Sequence, residues 1–160
     1  MEHVPLNGAP RILLVEDDAI LLACAAGYLL SQGYPVDCAE NAGEAMALLD
    51  AHHSYAAVVT DLELPLYARD NGFDVIRHAS RLVPRPVILL WTGAASAEVE
   101  REALASGADA CLEKSTLRDL LAALVTHVGS SEPHCRVTLP TAERCETAEG
   151  AGAVAWGVTR

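Results

Sequence analysis

Aromatic side chains are scarce, at 4% of the 160 residues, so a core must be assembled from Ala, Val, Leu and Ile. Lysine is scarcer still: of the 11 basic residues ten are Arg, and Lys114 is the single lysine. Positive charge falls short of negative by 11. This excludes a nonspecific grip on nucleic acid or anionic membrane, which needs Lys and Arg to displace counterions. No run of about 18 uninterrupted apolar residues occurs, so no membrane span is expected. The first ten residues lack a basic stretch followed by a hydrophobic segment and a cleavage site, and a cytoplasmic protein is expected. The five cysteines (Cys24, Cys38, Cys111, Cys135, Cys145) are odd in number and contain no C-x-x-C pair. That fits reduced thiols rather than a disulfide framework or a zinc site. Cys24, Cys38 and Cys111 fall in apolar segments, where filling the core is the expectation.

What the chain has is apolar material, 51% of it, enough for one domain without staples. Met1 to Pro10 shows no period and reads as a leader. Arg11 to Val15 is a short buried strand ending on Glu16-Asp17-Asp18. Leu21, Cys24, Ala25, Tyr28 and Leu29 then mark one face of a helix that Gly33 and Pro35 stop. Val36 to Ala39 is a second strand. Asn41 and Glu44 have capping-box spacing for a second helix with Ala42, Ala45, Met46 and Leu49 on its buried face. The apolar run from Tyr55 stops at Asp61, before a loop with Pro65, Asp70, Asn71 and Gly72. A third helix is expected to carry Phe73, Ile76 and Val83. Val87 to Leu90 is a fourth strand, followed by Trp91-Thr92-Gly93; Ser96 to Gly107 is a fourth helix. Ala110 to Leu112 is a fifth strand. Leu117, Leu120, Leu121, Leu124, Val125 and Val128 stripe a fifth helix.

Apolar strands alternating with helices predict an α/β fold: a parallel sheet covered by helices on both faces. The flavodoxin-like strand order 2-1-3-4-5 is expected, with one domain over residues 11–128. Residues 129–160 lose the period and form a C-terminal tail, either flexible or adding an edge segment, without a recognisable output domain.

That strand order brings Glu16, Asp17, Asp61, Thr92 and Lys114 to one edge of the sheet, the edge at which ligands bind in such folds. Three converging carboxylates push at least one of them toward protonation unless a cation neutralises them, and all-oxygen donors without Cys or His suit Mg2+ or Mn2+. Asp61 is then placed to attack phosphorus in line, with Thr92 and Lys114 holding phosphoryl oxygens.

The run Val15-Glu16-Asp17-Asp18, the strand end Val59-Thr60-Asp61-Leu62-x-Leu64-Pro65, the pair Thr92-Gly93, and Gly107-Ala108-Asp109-x-x-Leu112-x-Lys114 resemble the receiver domain of two-component response regulators. The resemblance spans residues 10 to 128. It implies that Asp61 is the phosphoacceptor and that Glu16 and Asp17 are metal ligands, joined by Asp61 and the backbone carbonyl of Glu63. It implies Thr92 as the switch hydroxyl and Lys114 as the partner of the phosphate. Asp18 reads as a helix-start residue. The implied partners are a histidine kinase or histidine phosphotransfer protein and an output protein. Homodimerisation through the fourth helix, fifth strand and fifth helix is also implied. On this reading the chain is not an enzyme beyond self-catalysed aspartyl phosphorylation and slow dephosphorylation.

Three departures stand out. Cys111 replaces the family's usual Tyr or Phe, Ser115 replaces Pro after the lysine with a trans bond expected, and the loop between Asp61 and Gly72 looks about three residues long in excess. Trp91 either covers the site, plugs a gap beside a helix or packs in the core, with core packing the expectation. His78 and His127 are expected on helices as surface or packing residues. Two other functions are compatible with parts of the pattern. A pseudo-receiver would bind partners without phosphorylation. A haloacid-dehalogenase-like phosphatase, signalled by Asp61-Leu62-Glu63, places its nucleophile after the first strand and carries a cap domain.

Overall fold

The computed structural model describes residues 8–52, 54–65 and 71–129. Most of the predicted leader, the middle of the loop after Asp61 and the predicted tail beyond Gly129 lie outside the described residues.

Five parallel strands, β1 (Ile12–Val15), β2 (Val36–Ala39), β3 (Ala57–Thr60), β4 (Val87–Thr92) and β5 (Ala110–Glu113), form one sheet in the order 2-1-3-4-5. Five helices alternate with them: α1 (Ala19–Ser31), α2 (Ala42–Ala51), α3 (Gly72–Ala79), α4 (Ala97–Ser106) and α5 (Leu117–Val128). The predicted α/β class, strand order and element sequence all hold.

The two faces of the sheet explain why the strands show no polar alternation. Leu13, Val15, Val58, Ile88 and Leu90 pack with α2, α3 and α4 on one face. Ile12, Leu14, Val59, Leu89 and Trp91 pack with α1 and α5 on the other. Every residue of β1 and β3 is buried, and each such aliphatic side chain stabilises the fold by ~1.5–3 kcal/mol.

Caps locate the helix ends. Asp18 begins α1, its Oδ1 accepting from the backbone of Ile20 at 2.9 Å and Leu21 at 3.0 Å, as its helix-start role requires. Asn41 caps α2, but Glu44 bonds the N–H of Glu40 rather than that of Asn41, so the expected box is displaced by one residue. The reciprocal box belongs to Asn71 and Asp74 at α3. Ser96 and Gly107 bound α4 as expected, and Gly107 ends it with φ +111°.

Three expectations fail. Val83 lies beyond α3 and is 90% exposed. The helix stops at Ala79 because Pro84 and Pro86 prevent its continuation. Cys24 and Cys38 do not fill the core, both being exposed. The buried face of α1 is Leu22, Ala25, Ala26 and Leu29, one step round from the face read in the sequence, which turns Cys24 outward. β2 is an edge strand, and Cys38 on it is exposed. Cys111 is half-buried and packs against the α2–α4 side of the core; burial, aided by the charge of Glu100, pushes its thiol pKa up.

Candidate functional site

The carboxyl ends of β1, β3, β4 and β5 meet at one edge because the strands run in parallel register. Val15 pairs with Thr60, Thr60 with Leu90, and Thr92 with Glu113. The first residue beyond each of β1, β3 and β5 is polar, and β4 ends on Thr92. Backbone bonds carry the ladder one step past the strands: Glu16 N–H donates to Ala39 (3.0 Å), Asp61 N–H to Val15 (2.9 Å), and Lys114 N–H to Thr92 (2.9 Å). The acidic residues are thus anchored by main chain before any side chain is considered.

Asp61 is 4% exposed and Glu16 is 1% exposed. Asp61 Oδ1 accepts from the backbone N–H of Leu62 at 2.6 Å, and Oδ2 accepts from Lys114 Nζ at 2.7 Å. Lys114 also lies 2.6 Å from Glu16 Oε2. Glu16 Oε1 accepts from the N–H of Asp18 at 3.3 Å. One ammonium therefore bridges two buried carboxylates. Burial pushes the Glu16 carboxyl upward, Lys114 pulls it back, and the charge of Asp61 adds to the push; the net direction is up. For Lys114 burial opposes the charge, but the bonds to Asp61 and Glu16 outweigh it and raise its pKa. The ammonium stays protonated across the ordinary pH range.

One oxygen each from Glu16, Asp17 and Asp61 lies within 4.8 Å of the others, two of the residues buried and Asp17 exposed. The donor chemistry fits a hard divalent cation: all oxygen, anionic, and open to solvent on the Asp17 side. Thr92 is 1% exposed, and its Oγ1 accepts from the N–H of Ala94 at 3.2 Å. Glu63 follows Leu62 as an exposed residue.

The residues flanking the site take definite places. Trp91 packs in the α1–α5 side of the core, as expected, and is 3% exposed. The bond before Ser115 is trans, Val83–Pro84 being the cis bond among the described residues. The Ser115 hydroxyl donates to Asp119 at 2.8 Å, beside the Thr116 cap of α5. His78 bonds Asp50 at 2.8 Å between α3 and α2, a packing role; His127 lies in the last turn of α5.

Two contributors escaped the sequence reading. The N–H of Leu62 fixes one oxygen of Asp61. Gly72 N–H donates to Leu62 at 3.2 Å, and a Cβ at residue 72 would overlap the Asp61 carbonyl group. The Asn71-x-x-Asp74 capping spacing was the available signal for the second, since it puts Gly72 at the first position of a helix packed on the loop.

The family model described as the response regulator receiver domain matches residues 12–126. A receiver domain protein from Methanospirillum hungatei JF-1 is 31% identical, with a TM-score of 0.69, covering 75% of this chain and 94% of that one. A response regulator from Burkholderia pseudomallei, solved with a phosphorylated aspartic acid, calcium ion and citrate, is 32% identical. Its TM-score is 0.65, with 72% of this chain and 66% of that one covered. The gliding motility regulatory protein of Myxococcus xanthus is 30% identical over 120 residues, 71% of this chain and only 15% of that protein.

Proposed function

Because the chain belongs to the response regulator receiver family of two-component systems, we propose that it accepts a phosphoryl group on Asp61 from a phosphohistidine donor and signals through protein contacts. The observation that carries this reading is the bridging of Asp61 and Glu16 by Lys114, at 2.7 and 2.6 Å, beside the open Asp17 carboxylate. A buried aspartate with both oxygens oriented and a cation at hand is prepared to become an acyl phosphate.

Asp61 would attack phosphorus with a carboxylate oxygen. The new O–P bond forms as the P–N bond to the donor imidazole breaks, and the electron pair returns to that ring. Leu62 N–H keeps the carboxylate plane fixed during attack. Lys114 passes from an Asp61 oxygen to a phosphoryl oxygen, and the Thr92 hydroxyl takes another, so negative charge moving outward meets donors already in place. Glu16, Asp17, Asp61 and the carbonyl of Glu63 are the groups proposed to hold Mg2+ or Mn2+, which would supply charge neutralisation for the phosphoryl oxygens. Loss of the phosphoryl group to water would be slow and self-catalysed.

Receiver domains work with histidine kinases and output partners. For this chain we extend that to a histidine kinase or phosphotransfer protein as donor and an output protein or second copy on the face of α4, β5 and α5. Cytoplasmic action belongs to the same reading; among the described residues no helix is long and apolar enough to cross a membrane. The test is incubation with acetyl phosphate, or beryllofluoride, and Mg2+, comparing wild type with Asp61→Asn by intact mass and NMR. A metal-dependent adduct on wild type and none on the variant is expected. No adduct on wild type would refute the acceptor role.

A further inference from the structure

Lys114 has three N–H donors, and two carboxylates take two of its directions. An aromatic face lies close by as well, for the ammonium stands over the Trp91 ring at 5.4 Å from its centroid. This is within the range in which a ring quadrupole attracts a cation. We propose that Trp91 is a positioning residue for Lys114, its indole face holding the ammonium at the acidic edge while the oxygens that bind the ammonium change.

The inference rests on Asp61 as phosphoacceptor. Before transfer the ammonium is fixed by Asp61 and Glu16; during transfer it must release an Asp61 oxygen and follow charge to the phosphoryl group. A lysine has a flexible four-carbon stem, so an ammonium tethered by carboxylates alone loses orientation when one of them becomes an acyl phosphate. The ring's attraction does not change in that step. Its position is rigid as well: Trp91 is paired with Leu112 of β5 and packed among Leu89, Leu120 and Leu124.

Packing alone does not account for an indole here. The buried Trp91 Nε1–H has no hydrogen-bond partner among the described residues. Leaving such a donor unpaired is unfavourable, and Leu or Phe would fill the layer without that cost. An indole is, however, the strongest cation-binding face among the side chains. The one position occupied by the chain's single lysine is also the one held against that face.

The test exploits that single lysine. Protein labelled with 13C-lysine gives one ε-methylene resonance, and a ring above it shifts those protons upfield. Wild type and Trp91→Phe should show the shift, and Trp91→Leu should lose it. Phosphorylation by acetyl phosphate should stay within about 3-fold of wild type in Trp91→Phe and slow by about 10-fold or more in Trp91→Leu. Thermal midpoints identify any general loss of packing. A lysine resonance at its free-chain position in folded wild type, or a folded Leu variant as fast as wild type, overturns the inference. If wild type forms no aspartyl phosphate, the acceptor reading fails, and the resonance alone still decides whether Trp91 holds Lys114.

Discussion

Gly72 lies against the carbonyl of Asp61 so closely that a Cβ there would sit 2.9 Å from the carbonyl carbon and inside the contact distance of its oxygen. The neighbour is backbone at the end of a buried strand and cannot rotate aside. Gly72→Ala should therefore destabilise the domain by ~1–3 kcal/mol, the cost of overpacking, and lower the thermal midpoint by several degrees. Because Asp61 is the residue displaced, acetyl phosphate labelling should fall more than stability does. An alanine variant with an unchanged midpoint and unchanged labelling would show that the helix start yields without strain.

Lys114 bridges two carboxylates that are each at least nine-tenths buried and offsets one of their two charges. Removing it leaves like charges facing each other in a poorly solvated place. Lys114→Met should cost ~3 kcal/mol or more at neutral pH, as expected for breaking one side of a buried ion pair. Acidification should recover part of the loss, since protonating Glu16, whose carboxyl is already pushed up by burial, removes one of the facing charges. Urea unfolding of both proteins at pH 7 and pH 5 measures this. A constant difference between them at the two pH values would contradict it.

At the opposite end of the strands, Arg11 donates to both oxygens of Asp37 at 2.9 and 2.8 Å, and Tyr55 OH donates to Asp37 Oδ2 at 2.7 Å. The three residues tie β2 to the entries of β1 and β3. Burial works to raise the Asp37 pKa, but the bonds from Tyr55 and Arg11 and the guanidinium charge outweigh it and lower it. A carboxylate more acidic folded than unfolded contributes stability that is full above the unfolded value of ~4 and is lost as pH falls through the lower folded value. Asp37→Asn should thus cost ~1 kcal/mol at pH 7, a partly exposed pair being worth no more. The difference between the two proteins should shrink below about pH 4. Denaturation curves at pH 7 and pH 3 that keep the same separation would count against the tie.

The strand ends were legible because two signals coincide there: an apolar run that must be buried on both faces, and a polar residue where the run stops. Asp61, Glu16, Thr92 and Lys114 were each readable on that basis, and their convergence followed from parallel connectivity. Helix faces were less legible. In α1 nearly every residue is apolar, so no polar stripe distinguishes Cys24, which is exposed, from Leu22, which is buried. Gly72 and Trp91 were only partly legible: the Asn71-x-x-Asp74 spacing marks a helix start at Gly72, and Trp91 reads as covering the site, plugging a gap or packing in the core. Their closeness to Asp61 and Lys114 depends on distances across the fold that neither residue type signals. Gly107 and Asp109 stand between these cases. The helix end was expected at Gly107, whereas the bond from Ile88 N–H to Asp109 at 2.7 Å needed the β4–β5 register.

Among the proposed cation ligands, Asp17 is the one whose replacement separates cation binding from folding most cleanly. It is exposed, whereas Glu16 and Asp61 are buried and held by Lys114. Replacing an exposed carboxylate changes stability by no more than ~0.5 kcal/mol, so Asp17→Asn should unfold at the wild-type midpoint in EDTA. A ligand that binds only the folded state at ten times its Kd adds about 1.4 kcal/mol. Millimolar Mg2+ should accordingly raise the wild-type midpoint by a few degrees and the variant's by much less. Mn2+ should do the same, and relaxation of water protons would report its occupancy directly. Ca2+ provides the contrast, since a larger ion tolerates an irregular oxygen shell with fewer geometric demands. Equal Mg2+ shifts in wild type and Asp17→Asn would remove Asp17 from the ligand set and leave the cation to Glu16 and Asp61. Those two carboxylates already share the single positive charge of Lys114, so a cation held by them alone should bind more weakly.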